Sequence, residues 1–251
     1  MNLRLIANWK LNGSKSFYEE WLQEFNKEYQ GSKTSSLGIA PPSIFINNLV
    51  RHPDNKEIAI GSQNIEHLTS GARTGEISSA MVKDSGGIFS IVGHSERRIF
   101  FNETNAEIAK KLDLASESGL MPILCIGESK TDKEQNKTKD ILEQQIIHAL
   151  TNTTKLDNLI IAYEPVWAIG TGNTPEPKEI NSIHVMIKDI VQSLFPELDL
   201  NAVLYGGSVN MENASSIFEE KEVDGALVGG ASLKGGDFAN LANTLNNIKG
   251  L

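Results

Sequence analysis

The chain has 251 residues, near the upper end for one folding unit and the usual length of an eight-fold βα barrel. With 39% hydrophobic and 22% charged residues it is neither disordered nor fibrous. A formal net charge of -9 argues against nucleic acid or an anionic membrane as the main partner, so an anionic ligand has to be met by locally placed positive groups.

The opening stretch MNLRLIANWK reaches Lys10 before a long apolar region builds up, so no signal peptide is expected. No apolar run approaches the roughly 20 residues of a membrane helix, and a cytoplasmic location is the expectation. The single cysteine, Cys125, excludes an internal disulfide, and no Cys/His cluster has the spacing of a zinc site.

The first apolar run, LRLIAN at 3–8, ends in Asn8-Trp9-Lys10, and Phe17, Trp21 and Phe25 at i, i+4, i+8 predict a helix over about 15–29. LGIAP at 37–41 and EIAIGSQ at 57–63 follow, each with a fainter helical pattern behind it, in SIFINNLVRH and ISSAMVKDSG. IFSIVG at 88–93 leads into His94-Ser95-Glu96, and a helix is predicted over 103–117, where Thr104 stands three residues before Glu107 as a capping box requires. MPILCIG at 121–127 precedes a predicted helix at 133–150. LIIAYE at 159–164 ends in Glu164, and Pro177 marks the start of a helix at 177–194. AVLYGG at 202–207 and GALVGG at 225–230 complete the series, with helices predicted near 211–220 and 236–248.

These runs are apolar nearly throughout, as suits parallel strands buried on both faces. Eight strands alternating with helices, and no composition break, predict an α/β fold: a (βα)8 barrel of eight parallel strands in a single domain over 1–251. An open doubly wound sheet is the alternative, and the first run lacks the GxGxxG of its dinucleotide-binding version.

In a barrel, active residues lie at the C-terminal strand ends, which is where the unusual polar residues of this sequence fall. A carboxylate directly after LIIAY has to be desolvated, which raises its pKa and its basicity, or partnered, so Glu164 is either a general base or half of a structural ion pair. His94 stands at such a mouth, where it can donate to substrate oxygens, although a lone histidine is also a common packing residue. The other four, at 52, 67, 148 and 184, lie off strand ends. Lys10 fits a salt-bridge partner, a Schiff-base nucleophile or a fixed cation. Gly206, Gly207, Ser208, Gly229 and Gly230 let backbone N–H groups approach an anion, or simply permit tight turns. The segment PVWAIGTGNTPEP, with its exposed-looking Val-Trp-Ala-Ile, has the composition of a hinged lid.

The motifs NWKLNG at 8–13, TGEIS at 74–78, GHSERR at 93–98, CIGE at 125–128, AYEPVWAIGTG at 162–172, YGGSV at 205–209 and GALVGGASL at 225–233 resemble the triosephosphate isomerase family, in family order over nearly the whole chain. The resemblance implies interconversion of dihydroxyacetone phosphate and glyceraldehyde 3-phosphate without cofactor or metal. It implies Glu164 as the base and His94 as the electrophile that polarises the carbonyl. Asn8 and Lys10 match the residues on the substrate oxygens, and Gly170, Ser208, Gly229 and Gly230 match backbone donors to the phosphate. Glu96 resembles a partner of Lys10, and Cys125 a residue packed behind Glu164. It further implies a homodimer in which the loop holding Thr74, Gly75 and Glu76 reaches into the partner. Arg73 departs from the aromatic expected beside Thr74. A phosphosugar aldolase using Lys10, and a phosphate-ligand sensor without catalysis, are the competing readings.

Overall fold

The computed structural model describes residues 2–32, 34–151, 153, 156–168 and 174–250. Eight parallel strands pair in sequence order and close on themselves, β1 (Leu5–Asn8) joining both β2 (Leu37–Ala40) and β8 (Gly225–Val228). Between them run β3 (Ala59–Ser62), β4 (Phe89–Val92), β5 (Met121–Ile126), β6 (Leu159–Tyr163) and β7 (Leu200–Tyr205). Closure rules out the open doubly wound sheet and makes this the (βα)8 barrel expected from the sequence.

The near-continuous apolar runs have a simple cause. Along each strand alternate residues point inward and outward, and both sides are buried. Ile6, Ile91, Ile123, Ile160 and Leu204 fill the barrel, while Leu5, Ala7, Ile161, Tyr163 and Tyr205 pack under the surrounding helices. Phe89 occupies the interior so fully that a Cβ at Gly61 would overlap its ring, which explains a glycine in the middle of β3.

The outer layer comprises α1 (Lys15–Glu28), α2 (Ile46–Val50), α3 (Ser79–Asp84), α4 (Ser95–Phe100), α5 (Asn105–Glu117), α6 (Lys130–Glu134), α7 (Thr138–Leu150), α8 (Pro177–Leu194), α9 (Ala214–Phe218) and α10 (Gly235–Lys249). Trp21 and Phe25 face inward on α1, as their spacing predicts, with Phe17 half-buried edge-on against Trp9 at 5.0 Å. The Thr104–Glu107 capping box is formed at the head of α5, and Pro177 stands at the first turn of α8.

Three expectations need correction. The helix predicted at 133–150 is two helices, because the chain turns at Asn136, whose left-handed φ of 57° no helix interior accepts. The helix near 211–220 shrinks to the five residues of α9, since Asn210 and Asn213 spend their side chains on local turn bonds to Glu212, Asn213 and Asn210 backbone N–H groups. The short helix α4 begins directly after His94, where no helix was predicted.

Candidate active site

The expected site residues converge at the C-terminal mouth. Asn8, Lys10, His94, Glu164, Ser208, Gly229 and Gly230 all line one cavity of about 540 Å³, a size that suits a small ligand. Gly170 lies outside the described residues.

Lys10 is held in an unfavourable backbone conformation, φ 51°, which costs a non-glycine residue on the order of 1 kcal/mol. Its neighbours impose that shape. The Lys10 N–H donates to Asn8 Oδ1 at 3.1 Å, and Gln63 Nε2 donates to the carbonyls of Lys10 and Ala40, both at 2.9 Å. The side chain is thereby aimed across the mouth, where Nζ meets Glu96 Oε1 at 2.7 Å. Glu96 is thus the ion-pair partner of Lys10.

His94 caps α4: its Nδ1 accepts the Glu96 backbone N–H at 3.2 Å, so the hydrogen of a neutral ring sits on Nε2. That Nε2 is 2.9 Å from Glu164 Oε1, and the Ser95 N–H donates to Glu164 Oε2 at 2.8 Å. Glu164 is almost wholly buried, 1% exposed, and its own N–H is bound to the Ile126 carbonyl at 2.7 Å.

Burial alone pushes the Glu164 carboxyl up, which is the direction expected from the sequence. The outcome is the reverse: His94, the Ser95 N–H and Lys10 together hold it below the ordinary carboxylate value. Burial pulls the His94 imidazole down, but the Glu164 carboxylate outweighs it and raises the ring above its usual value. The Glu96 N–H aimed at Nδ1 opposes a second proton on that ring. The paired site therefore has an ionised Glu164 and a proton on His94 Nε2.

Cys125 is fully buried on β5, paired in register with Ala162 two residues before Glu164, and burial followed by the Glu164 charge pushes its thiol well up. It is an inert packing group. On the far side, a Cβ at Gly206 would lie 2.9 Å from Glu164 Cγ, so only glycine leaves room for the carboxylate side chain. Gly230 faces open space, leaving its backbone accessible from the cavity.

The segment after Glu164 differs from expectation in its described part. Val166 and Trp167 are half-buried and Ala168 is fully buried, so they form no exposed apolar tip. Trp167 Nε1 donates to Glu128 Oε1 at 2.9 Å, the Tyr163 hydroxyl donates to the same oxygen at 3.1 Å, and Lys133 Nζ sits 3.6 Å over the Trp167 ring. Ser208 Oγ donates to the Ala168 carbonyl at 3.2 Å. Gly172 and Ile169, the remainder of the expected lid's centre, lie outside the described residues.

Thr74, Gly75 and Glu76 do not join the Glu164 cavity. They lie on an exposed loop after β3, and Gly75 and Glu76 line a neighbouring cavity, also about 540 Å³, that shares Asn8, Lys10, His94 and Glu96 with the first. Arg73 is half-exposed, its Nε 3.9 Å from Glu66 Oε1. Gln63, Glu128 and Arg98 were not singled out from sequence. The latter two stand inside quoted motifs, and Gln63 at a strand end was the signal available for the first.

Among the described residues no helix is long and apolar enough to cross a membrane, and no three His, Cys, Asp or Glu residues are placed to hold a metal ion. The family model for triosephosphate isomerase matches residues 3–245. Proteins described as triosephosphate isomerase from Escherichia coli O1:K1 / APEC, from Escherichia coli strain K12 / DH10B and from Shigella boydii serotype 18 are each 41% identical over 238 residues, covering 94% of this chain and 93% of the relative. With this coverage and this fold, the chain belongs to the triosephosphate isomerase family and is an isomerase.

Proposed function

We propose that the chain interconverts dihydroxyacetone phosphate and D-glyceraldehyde 3-phosphate by base-catalysed proton transfer, with Glu164 as the base. The observation that carries this is a buried, ionised Glu164 beside His94 Nε2–H and Lys10 in one cavity. The carboxylate takes the proton from the carbon beside the carbonyl, leaving an enediolate, and the resulting acid returns it to the former carbonyl carbon while the hydroxyl proton passes from one oxygen to the other by way of His94 Nε2, so that carbonyl and hydroxyl exchange places. Before this, Glu164 exchanges its contacts with His94 and the Ser95 N–H for the substrate carbon, and a substrate oxygen takes its place on His94 Nε2. The ring then donates from Nε2 while the Glu96 N–H keeps Nδ1 unprotonated. A neutral histidine in this role is a feature for which the family itself is the standing illustration.

Charge accumulating on oxygen is the main obstacle, and one preorganised donor offsets roughly 3 to 4 kcal/mol of it. Lys10 supplies fixed positive charge, with Asn8 beside it, and the backbone at Ser208, Gly229 and Gly230 is positioned to accept the phosphate. Gly170 is the further phosphate donor in this reading. The reaction needs no redox cofactor, because no electrons leave the substrate, and in this reading Lys10 and His94 provide the stabilisation of charge on oxygen that a metal ion would otherwise supply. We read residues 1–251 as one domain working in the cytoplasm, within glycolysis and gluconeogenesis.

We also propose a homodimer. Leu11, Ile44, Met81 and Phe101 expose large apolar side chains, 97%, 75%, 57% and 66% respectively, beside the loop bearing Thr74, Gly75 and Glu76 and the cavity next to Lys10. A partner's Thr74 loop filling that cavity would cover them. Sedimentation at micromolar concentration tests this, and a fully active monomer contradicts it.

The test of the activity is coupled conversion of glyceraldehyde 3-phosphate by the purified protein. Turnover far above the uncatalysed rate is expected; none would refute it. Borohydride trapping with dihydroxyacetone phosphate addresses the aldolase alternative, which requires a stable adduct on Lys10.

A further inference from the structure

Arg98 lies on α4, four residues after His94, and its guanidinium turns inward beneath the mouth of the barrel. Nε donates to the Gly93 carbonyl at 2.8 Å, Nη1 to Asn105 Oδ1 at 2.6 Å and Nη2 to the Cys125 carbonyl at 3.1 Å. All three acceptors are neutral. The adjacent Arg97 behaves differently, pairing with Glu103 Oε2 at 2.6 Å, an oxygen also claimed by Lys111 Nζ at 3.2 Å. Glu103 is engaged through that oxygen by Arg97 and Lys111, and among the described residues the Arg98 charge is partly desolvated without a carboxylate in direct contact.

The three acceptors belong to three elements. The Gly93 carbonyl is in the peptide that leads into His94, and Gly93 has a left-handed φ of 72°. A Cβ there would lie 3.1 Å from Arg98 Nη2 and 2.9 Å from Ile108 Cδ1, so glycine is what allows the guanidinium to approach. Cys125 is on β5, and the next residue's carbonyl accepts the Glu164 N–H at 2.7 Å. One planar fork therefore joins the strand end that carries His94 to the strand end that braces Glu164. An active pair has to be held to within about 0.5 Å, and a rigid guanidinium loses little freedom in doing so.

We propose that Arg98 is a positioning residue for the isomerisation: its fork fixes the strand end that carries His94 relative to the strand end that braces Glu164. This rests on the assignment of Glu164 as the base. Glu164 faces His94 and the Ser95 N–H from the β4–α4 junction, Lys10 from the loop after β1, and the neutral Cys125 thiol from β5. His94 and Lys10 change partners when substrate oxygens arrive; Arg98, bound only to the protein, does not. The brace it forms between the two strand ends therefore stays in place throughout turnover.

The test compares Arg98→Met, which loses charge and fork, with Arg98→Lys, which keeps the charge. kcat and KM with glyceraldehyde 3-phosphate are measured at a temperature where thermal unfolding shows each variant folded. For Arg98→Met the expected result is kcat down about tenfold or more with KM within about threefold. Arg98→Lys, which keeps the charge and loses the planar fork, is expected to show the same low kcat. Wild-type kcat in Arg98→Lys, or a KM in Arg98→Met that rises as far as kcat falls, overturns the proposal, and the Lys variant decides it alone if the Met variant does not fold. Absence of turnover in the wild type would instead defeat the assignment of the site itself.

Discussion

His184 gives the fold an acid weakness whose size follows from its surroundings. The ring is fully buried on α8, with Nδ1 3.3 Å from the Glu222 carbonyl and its edge against Tyr163 at a centroid distance of 6.2 Å. Because a carbonyl only accepts, Nδ1 carries the hydrogen. Burial, helped by the nearby Lys188 charge and only partly opposed by the backbone at Glu222 and Val203, pulls the imidazole from 6.5 down to about 3. Between these values the unfolded chain binds a proton that the folded chain refuses. The stability is complete above pH 6.5 and is lost progressively as pH falls toward 3. At about 1.4 kcal/mol per unit, the loss is about 2 kcal/mol by pH 5 and approaches 5 kcal/mol at pH 3. His184→Asn keeps a donor for the carbonyl but not the ring packing, so it starts about 1 to 2 kcal/mol less stable at pH 7.5. Urea unfolding at fixed protein concentration, at pH 7.5 and at pH 5, should show wild type losing about 2 kcal/mol more than the variant over that interval. Parallel losses in the two proteins would refute a neutral buried His184.

Lys10→Met should lower kcat/KM by roughly 10^2 to 10^3 while leaving urea stability within about 1 kcal/mol, because the side chain lines the cavity and its one ion pair among the described residues, with Glu96, is partly exposed; unchanged kinetics would place Lys10 outside the reaction. Gly127→Ala should fail to fold or lose nearly all activity, since its Cβ would overlap the Glu164 carbonyl oxygen, whereas Gly230→Ala, facing open space, should fold with wild-type stability measured by thermal unfolding. Wild-type activity in Gly127→Ala would show that the β5–β6 junction is not as tightly packed as the structure has it.

The fold was legible because the barrel repeats one unit eight times. Each strand is buried on both faces, so Leu5-Ile6-Ala7 or Leu159-Ile160-Ile161 announces itself as an unbroken apolar run, and the polar residues at its end mark the mouth. Helix boundaries were legible where a side chain caps them, as at Thr104, and illegible where a single residue such as Asn136 turns the chain inside an otherwise helical pattern. Spacing alone does not reveal a left-handed φ.

At the mouth of the barrel, side chains that line the cavity were identifiable and their supports were not. Gln63 reaches two carbonyls distant in sequence, Glu128 holds Trp167 and Tyr163, and Arg98 joins three elements, all contacts that exist only after closure. The direction of the Glu164 pKa was misjudged for the same reason. Burial at a strand end can be read from LIIAYE, but the His94 ring 2.9 Å away, which reverses the shift, arrives from a strand two places around the barrel.

Glu164 as the proton-abstracting base is the assignment on which the proposed chemistry depends. The deciding measurement is kcat for Glu164→Asp with glyceraldehyde 3-phosphate, a change that withdraws the carboxylate by about 1 Å while keeping its charge. A fall in kcat of something like 10^2 with KM little altered is predicted. A kcat within twofold of wild type would mean that another group abstracts the proton.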